Sequence, residues 1–253
     1  MPHHAHTTGT TGTIGEGAVT FQRRRDALIT LLGLGLLAAW DMAGLDMPVM
    51  RSLGTVHGFV WRNASELGWL HSGGRMAAWV VLGFIGWMGW KEWKGQVAGR
   101  ATPHLQPARL AHYRYWVGIT LLCLLTINVI KQLSATSCPW DLAEFGGVAR
   151  HISHWALLTA DGGPGQCFPS GHSSAAFAFF SLYFLHRHNN AKRANFCLAV
   201  VLLAGLIFSL TQIVRGAHYP SHALWTAWLC WTVCWLADRW LMRKRLLQGL
   251  AYH

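Results

Sequence analysis

Six long apolar runs dominate this chain, at residues 27–44, 76–90, 115–130, 172–185, 194–214 and 221–241. A helix crossing the hydrocarbon core of a bilayer needs roughly 20 such residues, and it satisfies its own backbone hydrogen bonds there. One run alone would suit a buried core helix. Six together predict an all-α fold, a polytopic membrane helical bundle with six transmembrane helices. Only 12% of the residues are charged, against about 25% in a soluble domain. The 15 tryptophans suit the aromatic belts at membrane surfaces.

The basic residues orient the bundle. Arg23, Arg24 and Arg25 precede the first run, and Lys91, Lys94, Arg100, Arg109 and Arg114 separate the second from the third. Arg187, Lys192 and Arg193 follow the fourth, and Arg239, Arg243, Lys244 and Arg245 cluster at the end of the sixth. Because basic loops stay inside, this side is expected to be cytoplasmic, with both termini. Arg51, Arg62, Arg75, Lys131, Arg150 and Arg215 fall on the other side. The net charge of +11 is juxtamembrane, so anionic lipid is the expected partner rather than nucleic acid. Nothing in the sequence implies an obligate protein partner.

Residues 1–20 carry no apolar segment of the kind a cleavable signal requires. They read as a flexible polar tail, ahead of a membrane domain over 21–245 and a short cytoplasmic tail over 246–253. His3, His4 and His6 in the first tail could bind a metal, though a plain polar tail accounts for them. Cys123, Cys197, Cys230 and Cys234 fall inside apolar runs and read as small apolar residues. Cys138 and Cys167 share the loop on the non-cytoplasmic side, where oxidation is allowed. No cysteine pair has metal-finger spacing, and no metal or other cofactor is expected.

Three polar clusters meet on that same side. The first runs from Lys131 through Cys138, Pro139 and Trp140 to Asp141; the second is Pro169-Ser170-Gly171-His172; the third runs from Thr211 and Gln212 through Arg215 and His218 to His222. Ionisable groups at membrane depth are costly and point to a functional site, although Lys131 and Arg215 could each simply snorkel to headgroups. Alone, the Pro-Ser-Gly-His segment fits either a capped helix start or a phosphate cradle at a helix N-terminus. Cations and backbone donors stabilise an anion with several oxygens. One neutral histidine can then attack phosphorus while another protonates the leaving oxygen.

In order and spacing these clusters resemble the type 2 phosphatidic acid phosphatase superfamily, which also contains the vanadium-dependent haloperoxidases. Its pattern is Lys-x6-Arg-Pro, then Pro-Ser-Gly-His, then Ser-Arg-x5-His-x3-Asp. Lys131 and Pro139 match the first motif with its six-residue gap, Pro169 to His172 match the second, and His218 aligns with the nucleophile of the third. The resemblance implies metal-independent hydrolysis of a phosphate ester or anhydride. His218 would form a phosphohistidine, His172 would serve as acid and then base, and Lys131, Ser170 and Gly171 would hold the phosphoryl oxygens.

Cys138 and Gln212 stand where the family has arginines, Thr211 where it has serine, and His222 where it has the aspartate that orients the nucleophile. Arg215, three residues after Gln212, is the expected replacement cation, with Arg150 a second candidate. His222 is expected to orient His218, and Asp141 or Asp161 could fold back to supply a carboxylate. Because the family pattern brings the first two motifs together, a Cys138–Cys167 disulfide is expected over the site. The loop over 45–72, with Trp61, Trp69, His57 and His71, is expected to hold an interfacial helix.

A lateral site at headgroup level suits a lipid phosphate or pyrophosphate at the periplasmic face of a bacterial inner membrane. Undecaprenyl pyrophosphate, lipid A and phosphatidylglycerol phosphate all fit. The alternatives are a phosphotransferase passing the phosphoryl group to another lipid, and a degenerate, non-catalytic phospholipid-binding protein.

Overall fold

The computed structural model describes residues 13–98, 106–156, 159–188 and 190–250. The chain is mainly helical. Helix α1 covers Thr13–Met42 and α2 covers Asp46–Leu53; a two-stranded hairpin pairs β1 (Gly54–Thr55) with β2 (Gly58–Phe59) antiparallel. Then come α3 (Ser65–Val97), α4 (Gln106–Leu133), two short 3-10 turns at Pro139–Asp141 and Ala143–Phe145, α5 (Gly171–Phe177), α6 (Phe180–His186), α7 (Ala191–Val214) and α8 (Pro220–Leu250). The tail boundaries expected at residues 20 and 245 both fall inside helices, α1 and α8. His3, His4 and His6 lie outside the described residues.

By length and apolarity together, Tyr113–Leu133 and Ala191–Val214 qualify as membrane spans among the described residues. Phe21–Met42 joined to Asp46–Leu53 qualifies as a third, bent by 65°. Helices α3 and α8, at 33 and 31 residues, are long enough to cross but are diluted by Trp, Gly, His and charge. The fourth apolar run, expected as one helix, is broken into α5 and α6 of seven residues each. At the break the Phe179 amide bonds to Ala176 O at 3.0 Å, one residue short of α-helical spacing. Exposed leucines and phenylalanines such as Leu203, Leu206 and Phe196 on α7 face outward, as lipid contact demands.

Helix α7 packs on α5 and α6, α1 on α8, α3 on α4, and α4 on α8. The main core joins Cys123 and Ile127 of α4, Phe177, Phe180 and Phe184 of α5–α6, Val201 of α7 and Cys230 and Cys234 of α8. At one end of this core a buried ion cluster ties three segments together. The Arg187 guanidinium binds Asp26 of α1 and, at 2.5 Å, Asp238 of α8. Arg25 donates to the Tyr183 hydroxyl at 2.6 Å, and His188 lies 3.2 Å from Asp238.

The opposite end carries a second core of Met47, Met50, Phe59, Leu142, Phe145, Ile213 and Tyr219. Helix α2, with Met47 and Met50 turned inward, is a short helix in the expected 45–72 loop, which ends early because α3 starts at Ser65 and takes in Trp69 and His71. Gly216 is indispensable here. Its φ is +73°, and a Cβ on it would meet the Phe59 ring at 2.2 Å. The same end holds the Cys138–Cys167 disulfide, with Cα atoms 5.1 Å apart and a sequence separation of 29.

Two outcomes are expected. Arg187→Met removes the central cation of the cluster, leaving Asp26 with only Arg25 and Asp238 with only His188, and should lower stability by ~3 kcal/mol; replacing Arg187, Asp26 and Asp238 together by apolar residues should restore much of it, as read by thermal unfolding in detergent. Alkylation of denatured, unreduced protein should spare Cys138 and Cys167 and label both after reduction. Replacing both by alanine should cost ~2–4 kcal/mol.

Candidate active site

Pro169 to His172 run from a loop into the first turn of α5. Ser170 is the N-cap: its side chain accepts from the Ser173 amide. The Ser173 and Ser209 hydroxyls lie 2.9 Å apart, which joins α5 to α7. The Phe168–Pro169 peptide is cis. The segment is fixed from the α8 side, where the Ser170 amide donates to His222 O at 3.2 Å and the Thr226 hydroxyl lies 3.0 Å from Ser170 O. The Ser170 amide, expected to hold a phosphoryl oxygen, is therefore occupied by His222. Gly171, one residue on, begins the helix with an amide that has no intrahelical acceptor.

Lys131, in the last turn of α4, reaches this segment. A methyl group on Gly171 would sit 3.6 Å from Lys131 Cδ, and the ammonium donates to Gln166 O at 2.5 Å. Gln166 adopts a φ of +55°, rare for a residue with a side chain. The cation is thus held beside the helix start by a backbone carbonyl that an anion could replace.

His218 is buried just past the end of α7, and its ring centroid lies 5.9 Å from that of His172. Its Nδ1 is 3.4 Å from Cys167 Sγ, so the disulfide lies against the ring. His222 is also buried, four residues on in the first turn of α8, with its ring centroid 6.0 Å from that of His218. Since Cys167 O can only accept, His222 Nδ1 donates to it, at 3.0 Å. That bond fixes the tautomer and leaves Nε2 as the acceptor. Main-chain bonds align the three motifs: Trp140 N to Gly216 O at 2.9 Å, Cys167 N to Thr136 O at 2.9 Å and Gln166 N to Ser134 O at 2.8 Å.

The proposed replacements for the missing arginine and aspartate are placed differently. Arg215 follows the last residue of α7, and its Nε donates to Arg62 O at 3.1 Å. Arg150 is exposed. Asp161 is buried and accepts from Ser137 N, Ser137 Oγ and Gly163 N at 2.5, 2.9 and 2.9 Å. Asp141 accepts from the Trp140 indole at 3.0 Å, and burial raises its pKa. Gln212 is buried at the family's arginine position.

Among the described residues, two groups of side chains have the spacing to hold a metal ion. Cys138, Cys167 and His218 bring ligand atoms within 4.8 Å of one another, but the disulfide removes both thiolates. Asp41, Asp46 and His154 form the second group. Sequence reasoning did not single out the last three, or Ser173, Ser209 and Thr226. The available signal was the pair of aspartates bracketing the end of the first apolar run.

No curated protein and no solved structure matches the chain. A model described as the PAP2 superfamily matches residues 112–246, more than half of the 253. That stretch contains Lys131, Ser170, Gly171, His172, His218 and His222, so the family match and the clustered side chains coincide. On this match the chain belongs to the PAP2 superfamily, the type 2 phosphatidic acid phosphatases and their relatives.

Proposed function

We propose that the protein is a membrane phosphatase that removes phosphate from a lipid phosphate or pyrophosphate at the non-cytoplasmic face of a bacterial inner membrane, with six crossings and both termini cytoplasmic. Membership of the superfamily supports phosphatase chemistry on phosphate esters. The observation that carries the lipid is a groove of about 660 Å³ between α3, α4 and α5. Its wall is apolar, formed by residues such as Trp79, Leu82, Leu121, Leu125 and Phe179, and its polar end is Lys131 with Gly171. A long hydrocarbon chain lying there brings its phosphate to the ammonium and to the first turn of α5.

In this reading His218 attacks phosphorus and forms a P–N bond as the P–O bond to the lipid breaks. His172 donates the proton that the departing oxygen needs. Water then attacks the phosphohistidine, His172 takes its proton, and inorganic phosphate leaves with His218 restored. Lys131 exchanges Gln166 O for a phosphoryl oxygen and neutralises charge that grows in the transition state. His222, tied to Cys167 O, supports the His218 ring without contributing negative charge.

His218→Ala should abolish phosphate release, and rapid quenching of wild type with radiolabelled lipid phosphate should trap an acid-labile phosphoprotein that the variant lacks. Full activity in the variant would sink the mechanism. Label appearing on an added acceptor lipid instead of in free phosphate would identify a transferase. Lys131→Met should lower kcat/KM by about 10- to 150-fold, the equivalent of a charged hydrogen bond contributing ~1.5–3 kcal/mol. Ala78→Trp, which fills the groove, should raise KM for a long-chain lipid phosphate and leave a short, water-soluble ester unaffected.

A further inference from the structure

At the bend between α1 and α2 a second polar centre lies behind the catalytic histidines. Asp41 comes from the last turn of α1, Asp46 opens α2, and His154 comes from the loop that follows α4. Their ligand atoms all lie within 4.8 Å of one another. The three side chains line a cavity of about 70 Å³ together with His151, Tyr219 and His222. That is several times the ~10–15 Å³ that one water requires.

The hydrogen bonds around this cavity hold both carboxylates and leave other buried polar atoms beside it without one. Asp41 Oδ2 accepts from the indoles of Trp155 and Trp225 at 3.0 and 2.9 Å. Asp41 Oδ1 is buried and accepts nothing. Asp46 Oδ1 accepts from Trp40 Nε1 and Ser221 N, both at 3.0 Å, and Oδ2 from Ser221 Oγ at 2.5 Å. A carboxylate offers about four lone-pair positions, so Asp46 keeps capacity. His154 Nε2 lies 3.2 Å from Asp41 Oδ2, close enough to pair with it when the ring is protonated, but receives no well-directed hydrogen bond. The hydroxyl of Tyr219, a residue only 2% exposed, is a further orphan on the same cavity. Leaving such groups unmet costs ~1–3 kcal/mol each.

Two carboxylates held by hydrogen bonds and an imidazole stacked on Phe168 form a donor set for a divalent ion. Zn2+ and Mn2+ both accept this mixture, with water in the open positions. Indole and hydroxyl groups that orient ligands are typical surroundings of a metal. We propose that Asp41, Asp46 and His154 bind one divalent cation of the Zn2+/Mn2+ class, which ties the α1–α2 bend to the loop over the active site. The His154 ring stacks on Phe168 with centroids 4.2 Å apart and meets His222 edge-on at 5.6 Å. The cation therefore positions the segment that leads into Pro169 and the neighbour of His218, and takes no part in the hydrolysis. Asp41 and Asp46 lie outside the stretch that matches the family and His154 lies within it.

The test reads metal content, so its outcome is independent of any phosphatase activity. Full-length protein carrying His3→Ala, His4→Ala and His6→Ala is kept in oxidising detergent solution, so that neither the N-terminal tail nor free thiols compete. It is stripped with chelator and dialysed against Zn2+ or Mn2+. One equivalent should bind, with a change in tryptophan fluorescence because Trp155 and Trp225 are bonded to Asp41. Asp41→Asn and His154→Ala should each weaken binding by more than about 100-fold, and Trp155→Phe by about 10- to 100-fold, as for an orienting partner. Co2+ bound to wild type should show ligand-field bands without a sulfur charge-transfer band, a reading that does not depend on any variant folding. No saturable uptake by wild type, a sulfur band, or unchanged affinity in Asp41→Asn would overturn the proposal.

Discussion

The catalytic segment stands where it does because its backbone is bonded to the first turns of α8. The Ser170 amide donates to His222 O, and Thr226 Oγ1 lies within 3.0 Å of Ser170 O and 2.8 Å of His222 O. Through these few atoms the start of α5 and the start of α8 share one frame. His172 and His218 are then separated by a distance that neither helix could set alone. Main-chain polar groups must find partners in a chain packed among apolar residues. Here that requirement brings remote motifs together.

How much of this could be read beforehand depends on whether a relation was local. The resemblance implied the pairing of Lys131 with the Pro-Ser-Gly-His segment, and the structure lays the Lys131 stem beside Gly171. The resemblance also suggested the Cys138–Cys167 pairing, which the structure contains. Arg215 was read as continuing the face of Gln212, an argument that needs an unbroken helix. Since α7 ends at Val214, Arg215 turns toward Arg62 instead. Occupation of the Ser170 amide, the role of Asp161 under the loop and the break after Phe177 all depend on partners distant in sequence. No local pattern encodes them.

The rebuilt third motif has a physical logic. In the family pattern a carboxylate orients the nucleophile; here His222 stands in its place and gives its Nδ1 proton to Cys167 O. Cys167 also presents its sulfur to His218 Nδ1. One residue therefore contacts both rings, through its backbone oxygen and its side chain, while the bridge to Cys138 fixes it from the first motif. The His218 ring is held by the disulfide and by packing rather than by a neighbouring negative charge.

The ion cluster at the far end has a consequence for how such a chain is made. Asp26 sits on the first helix, Arg187 beyond the sixth, and Asp238 on the eighth. During synthesis Asp26 emerges long before either partner, and Arg187 before Asp238. Each member is costly to bury until the others arrive. Asp26 and Arg187 therefore gain their full set of partners only once α8 has been made.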